Sequence, residues 1–168
     1  DNLITADDDI VAVISRHIVD NVINSRIVSH TNTLSATSRH FTTLATVYES
    51  TKAWLEELNG KIDDKILPLE HERALYKEQA VEFWEKIFEK LTHFNLAIMN
   101  PDESGDEKRI DIRKEITLGK PIAQYALILA IIRMQQPNFS DSSRLELNEI
   151  FERINSLDWN MDNPIWQR

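Results

Sequence analysis

Tyr76-Lys77-Glu78-Gln79-Ala80-Val81-Glu82-Phe83-Trp84-Glu85-Lys86-Ile87-Phe88-Glu89-Lys90-Leu91 decides the fold. Tyr76, Ala80, Phe83, Trp84, Ile87, Phe88 and Leu91 recur at spacings of three and four, which places them on one face of an α-helix. Glu and Lys fill the remaining positions, so the opposite face is solvated. The helix is expected to begin near Pro68, a residue suited to a first turn, and to run to about Thr92.

The same period recurs on both sides. Upstream, Phe41, Leu44, Ala45, Tyr48, Leu55 and Leu58 predict a helix from about Thr37 or Ser38 to Leu58, stopped by Asn59-Gly60. Before it, Ile10, Val13, Ile14, His17, Ile18 and Ile23 predict a helix over Asp7 to Ile23, with Asp7, Asp8 and Asp9 where a helix start favours negative charge. Asn24 to Ala36, rich in Ser, Thr and Asn, reads as an ordered loop. Downstream, Asn100 to Lys120 turns polar and charged, and Arg109-Ile110-Asp111-Ile112-Arg113 alternates like a short extended piece. Pro121 opens a further helix ending near Gln136-Pro137, whose centre, Tyr125 to Ile132, is apolar on all sides and is expected to be the buried middle of a bundle. A last helix over Asp141 to Leu157 uses Leu147, Ile150, Phe151 and Ile154. The fold expected is all-α: one helical domain over residues 1–168, a bundle of about five helices with a charged loop near 100–120 and an extended C-terminal tail.

Composition agrees. The chain has 168 residues, 42% of them hydrophobic and 28% charged, enough for a real core. Three glycines in that length imply few tight turns, which argues against an all-β sandwich or a Gly-rich nucleotide fold. Nineteen Lys and Arg against 28 Asp and Glu give a net charge of −9, so the chain as a whole repels polyanions and nucleic acid must be met by a local patch. The absence of cysteine excludes disulfides, thiolate metal sites and Cys nucleophiles, and accords with a cytoplasmic location. The longest apolar run, Tyr125 to Ile132, is far short of the roughly 20 residues a membrane span needs. A chain starting at Asp1 without a signal-peptide pattern is expected to be part of a longer protein.

Candidate chemistry is sparse. His71 lies in Glu70-His71-Glu72, but Leu75 stands where a zincin would place its second histidine, so a solvated helix start is expected and neither metal nor cofactor is. Ser35, Ser38 and His40 sit in a stretch crowded with Ser and Thr, whose ordinary work is capping and loop hydrogen bonding, so no catalytic residue is assigned. Lys108, Arg109, Arg113, Lys114 and Lys120 against Asp111 and Glu115 leave three excess positive charges over thirteen residues, the plausible polyanion patch. Arg16, Arg26, Arg39 and His40 form a second cluster if the first two helices pack side by side. Trp159 and Trp166 lie in a non-periodic tail and are expected to fold back onto the bundle.

Three stretches together resemble a known family. Ser35-Ala36-Thr37-Ser38-Arg39-His40-Phe41-Thr42-Thr43-Leu44-Ala45-Thr46-Val47-Tyr48-Glu49-Ser50-Thr51, then Glu82-Phe83-Trp84, then Leu157-Asp158-Trp159-Asn160-Met161-Asp162-Asn163-Pro164-Ile165-Trp166-Gln167 are similar, in order and spacing, to motifs of the DGQHR-domain family of DndB-like DNA sulfur-modification proteins. The family-motif residues are Ser38, Arg39, Tyr48, Trp84, Trp159, Asn163, Pro164 and Trp166. His40 replaces the usual Lys, and Asn160-Met161 the usual Ser-Arg. The name-giving Asp-Gly-Gln-His-Arg sequence is absent, so the resemblance implies a helical C-terminal region whose DGQHR domain lies upstream. It further implies a non-enzymatic, DNA-associated regulator of a bacterial DNA phosphorothioation system, with double-stranded DNA as partner, through this region or the missing domain. Nucleic-acid contacts are expected at Lys108, Arg109, Arg113, Lys114, Lys120, Arg39 and His40. The alternative is a non-catalytic helical module for protein interaction or self-association.

Overall fold

A computed structural model describes residue 3 and residues 6–136 and 145–167. Among these, seven α-helices and one two-stranded sheet appear, so the chain is mostly α, with two more helices than expected. Helix α1 spans Ile10–Ile18 and continues as a π-helical turn over Val19–Ile23. Asp9 starts it: its side chain accepts from the Val11 and Ala12 N–H groups at 2.9 and 3.2 Å. Strands β1 (Val28–Ser29) and β2 (Thr42–Thr43) pair in parallel, Val28 with Thr42 and Ser29 with Thr43. Helix α2 follows over Leu44–Asn59, six or seven residues later than expected. The reason is local: Thr43, not Ser38, is the cap, its hydroxyl accepting from the Thr46 N–H at 3.1 Å.

Helix α3 spans Glu70–Lys90 and buries the expected face, with Ala80, Phe83, Trp84, Ile87 and Phe88 all in the core. His71 is exposed at its start, as expected. An extended Leu91 then separates α3 from α4, Thr92–Ile98. Asn155 bridges the break, its amide donating to the Lys90 carbonyl at 2.7 Å and its carbonyl accepting from the Thr92 N–H at 3.0 Å. Trp84 packs beside Phe88 with ring centroids 5.9 Å apart, and Phe88, Phe94 and Phe41 form an edge-to-face trio at 5.2–6.3 Å. Fully burying such side chains stabilises by roughly 1.5–3 kcal/mol each.

Helix α5, Asp106–Glu115, corrects the expected charged loop. Asp106 and Glu107 open it and Arg113 and Lys114 close it, which complements the helix dipole. Its inward face is Arg109, Ile112 and Arg113, so two of its three buried residues are cations and a single isoleucine carries no apolar period.

Helix α6, Pro121–Met134, begins at its expected proline. Leu127, Ile128, Ile131 and Ile132 are buried, but Ile122, Ala126, Leu129 and Ala130 are exposed, which corrects the expectation of burial all round. Helix α7, Leu147–Ser156, buries Ile150, Phe151 and Ile154 as expected; the expected start near Asp141 lies outside the described residues. The tail folds back, with Thr117 N–H donating to the Trp159 carbonyl at 2.8 Å and Met161 N–H to the Glu115 carbonyl at 2.7 Å. No helix among the described residues is long and apolar enough to cross a membrane.

Candidate nucleic-acid interface

The β1–β2 pair sets Val28–Ser29 beside Thr42–Thr43, so residues 30–41 between the two strands form a compact loop with adjacent ends, an Ω-loop. Thr31, Asn32, Thr33, Ser35, Ala36, Thr37 and Arg39 are exposed on it. Such a polar surface supplies little packing of its own. It is held from beneath, through its main-chain carbonyls.

Arg109 is 1% exposed, and all five of its N–H donors are used. Nε donates to the Arg39 carbonyl at 2.9 Å, Nη1 to the Ala97 and Asn100 carbonyls at 3.1 and 2.6 Å, and Nη2 to the Asp102 carbonyl at 2.7 Å and Asp106 Oδ1 at 2.6 Å. Arg113 performs the same task one turn on: Nε and Nη2 donate to the Ser35 carbonyl at 3.1 and 2.9 Å, Nη2 also to Leu34 at 3.1 Å, and Nη1 to Gly119 at 2.7 Å. Burial lowers its guanidinium pKa from the usual value. Gln124 of α6, also buried, donates from Nε2 to the Phe41 and Leu118 carbonyls, both at 2.9 Å. Three interior side chains thus fix the loop at residues 34, 35, 39 and 41.

Two glycines make room for the arginines. A Cβ on Gly105 would overlap the Asn100 carbonyl oxygen and sit 2.7 Å from Arg109 Nη1; one on Gly119 would come within 2.5 Å of the Ile112 carbonyl oxygen and 2.7 Å of Arg113 Cα. Neither approach is open to a larger residue without backbone movement.

The expectation of phosphate contacts at Arg109 and Arg113 is therefore corrected: both guanidinium groups face inward onto carbonyl oxygens. Lys108, Lys114 and Lys120 are exposed, and against Asp111 and Glu115 they leave one excess positive charge where the sequence shows three. Arginine and histidine side chains gather instead beside the Ω-loop, with Asp106 and Glu103 among them. Arg39 is exposed and His40 half-buried at its end, and His30 is exposed at its start. Burial first, then the charges of Arg39, His30 and Arg109, lower the His40 pKa, so all three lie within electrostatic reach of its ring. Arg26 joins them through Asp106, 3.4 Å away. Asp106 itself is held below the usual carboxylate range, chiefly by the Arg109 hydrogen bond. Arg16 is elsewhere, donating to the Leu3 and Ala6 carbonyls and Asp7. The expected second cluster forms without it. His30 and Gln124 went unnoticed in the sequence, although Gln124, a polar residue inside the apolar run from Ile122 to Ile132, carried a signal.

Ser38 Oγ lies 3.2 Å from His40 Nδ1, but the same oxygen accepts the His40 N–H at 3.2 Å, so the pair closes a local turn. Among the described residues no group of three or more His, Asp or Glu suits a metal ion.

A family described as DndB, DNA-sulfur modification-associated, matches residues 6–168. The chain belongs to that family. Comparison with curated proteins gave no match, and no solved structure matches either. Association with DNA sulfur modification follows from the DndB family, and the motif residues acquire physical roles within it. Tyr48 OH donates to Asp9 Oδ2 at 2.7 Å, tying α2 to the α1 cap; burial and that bond push the phenol pKa up. Trp84 Nε1 donates to Thr51 Oγ1 at 2.9 Å. Trp159 and Trp166 stack at 4.7 Å with planes 11° apart, their Nε1 groups donating to the Ile154 and Asp158 carbonyls at 2.8 and 2.7 Å. Asn163 caps the 3-10 turn that Pro164 begins, accepting from the Ile165 N–H at 3.1 Å. Ser38 shapes the loop end and Arg39 offers its carbonyl to Arg109. Most DndB motif residues of this chain are thus framework; among them the exposed cation is Arg39.

Proposed function

We propose that the chain is a non-enzymatic, cytoplasmic, DNA-associated regulatory protein of a bacterial phosphorothioation system, controlling transcription of the modification genes, and that it meets duplex DNA with the rim of the Ω-loop. The family match supports the system. The observation that supports the surface is a polar loop fixed by interior donors, with Arg26, His30, Arg39 and His40 around its base. A pre-set loop loses little conformational entropy on binding, and phosphate contact needs cations, hydroxyls and amides of the kind this rim carries. In a chain of net charge −9, such a contact is local and strongly salt-dependent.

The test is fluorescence-anisotropy titration of a duplex oligonucleotide over a range of salt concentrations. Replacing Arg26 and Arg39 with Ala should weaken binding to every sequence and flatten the slope of log affinity against log salt by up to about two units. The exposed trio Lys108, Lys114 and Lys120, replaced together, reports whether α5 shares the contact. Affinity and slope unchanged by Arg26→Ala/Arg39→Ala would remove the Ω-loop from the interface.

A further inference from the structure

Helix α1 and the first turns of α3 lie side by side and leave a cleft of about 360 Å³ between them. Its floor is apolar: Ile10 and Ile14 are buried beneath it, and the exposed Val13 and Ala74 complete it. Arg73 stands on its wall. That side chain is half-buried, yet it makes no hydrogen bond or ion pair with any described residue, and its Nε is buried without a partner. Arg16, Arg26, Arg109, Arg113 and Arg153, by contrast, all hold carbonyls or carboxylates. Lys77, one turn further along α3 and also without an ion pair, lines the same cleft. His17 faces them from α1. Asn21 Nδ2 donates to the His17 carbonyl at 3.0 Å and to its Nδ1 at 3.1 Å, which places the proton of the neutral ring on Nε2 and leaves that N–H free to donate. Burial first, then the Lys77 charge, lowers the His17 pKa against an opposing effect of Asp20, so the ring is neutral near pH 7.

We propose that this cleft binds a small organic monocarboxylate with an apolar body, the carboxylate held by Arg73 and Lys77 and the body laid over Ile10, Val13 and Ile14. Chemistry selects the anion. Half-burying an unpaired guanidinium is unfavourable, and its planar fork matches a carboxylate with two parallel hydrogen bonds. Charge sets the valence. Glu70 lines the cleft one turn before Arg73, and Glu78, Glu82 and Glu85 line the groove that continues along α3 beyond Lys77. Two cations against Glu70 leave a single positive charge, which one carboxylate neutralises; a phosphate dianion or a polyphosphate would add charge that the acids at both ends repel. Size agrees, since small-ligand pockets begin at about 300 Å³. The cleft shares no residue with the Ω-loop rim, and this proposal does not depend on DNA binding.

Titration of the nitrogen-labelled full chain with hexanoate, followed by amide chemical shifts, tests it. The expected result is saturable shifts centred on Val13, His17, Arg73 and Ala74, with an affinity in the millimolar range. Acetate, which keeps the charge, and hexanamide, which keeps the body, should each bind at least about tenfold more weakly. Arg73→Gln should weaken hexanoate binding by at least about tenfold, and Lys77→Gln, at an exposed position, should weaken it in the same direction without disturbing the fold. Glu70→Gln should tighten binding about two- to threefold, because it removes the acid nearest the carboxylate, a gain that a merely structural role would not give. Absence of saturable shifts, shifts centred away from the cleft, or equal binding of hexanamide and hexanoate overturns the proposal. So does an inorganic phosphate that binds there more tightly than hexanoate, or binding unchanged by both Arg73→Gln and Lys77→Gln.

Discussion

Replacing Arg109 with Met should be among the most damaging single changes in this chain, although it exchanges a charge for an apolar residue of similar length. Buried ion pairs often tolerate apolar replacement because both partners leave together. Here they cannot: four of the five hydrogen bonds end on main-chain carbonyls, of Arg39, Ala97, Asn100 and Asp102, which no mutation removes. The bond to Ala97 is wholly buried, so that oxygen loses its partner at a cost of about 1–3 kcal/mol. The other acceptors can recover water in part. With Asp106 also released, the sum is about 3–5 kcal/mol, a large share of the roughly 5–15 kcal/mol that holds a domain together. Urea unfolding should show the midpoint falling by about 2 M at a typical slope of about 2 kcal/mol per molar. Amide exchange should quicken first in residues 34–41. Arg109→Lys, with three donors in place of a planar fork of five, should fall between parent and Met variant. A Met variant within about 1 kcal/mol of the parent would refute the view that these carbonyls depend on the guanidinium.

Gly105→Ala should loosen the same loop from below, losing about 1–3 kcal/mol with faster exchange at Arg39 and His40; a neutral effect in urea unfolding would mean that the Asn100 carbonyl yields easily. Trp84→Ala should cost about 3–5 kcal/mol and Trp84→Phe nearer 1 kcal/mol, the Thr51 bond being part of that smaller loss; a Phe variant as stable as the parent would deny that bond a role. Burial first, then nearby cations, hold His17, His40 and His93 below the usual 6.5. The unfolded chain therefore binds those protons first, so their stabilising effect is complete above pH 6.5 and is lost as pH falls below it. A His40→Gln/His93→Gln variant should lose less stability than the parent between pH 7.5 and 5.5, and an equal or greater loss in urea titrations would contradict the assignment.

Helices with an apolar inward face were legible. The period over Tyr76 to Leu91 placed α3, and Asp9 and Pro121 marked real starts. Helix α5 was not legible, because its inward positions 109, 112 and 113 are Arg, Ile and Arg, and a rule that looks for apolar residues inside reads that arrangement as a solvated loop. The same inversion placed two buried side chains in the candidate basic patch. Arg109 and Arg113 look like a basic patch when charge is counted along the chain, yet their partners, some 70 to 79 residues away at Arg39, Ser35 and Leu34, are set by the tertiary fold. On α6 the error ran the other way: an entirely apolar stretch does not say which face is covered. The cluster around Arg39 and His40 was visible as composition and needed the strand pairing to become a surface.

The use of main-chain acceptors by Arg109, Arg113 and Gln124 bears on how this protein can change over time. Every residue type offers the same carbonyl oxygen, so the exposed side chains at 35 and 39 can be exchanged without altering how the loop is held. The framework is concentrated in a few interior donors and in the two glycines beside the arginines. A lineage could thus retune what the loop touches by single substitutions at low structural risk, while the donors beneath it admit almost none.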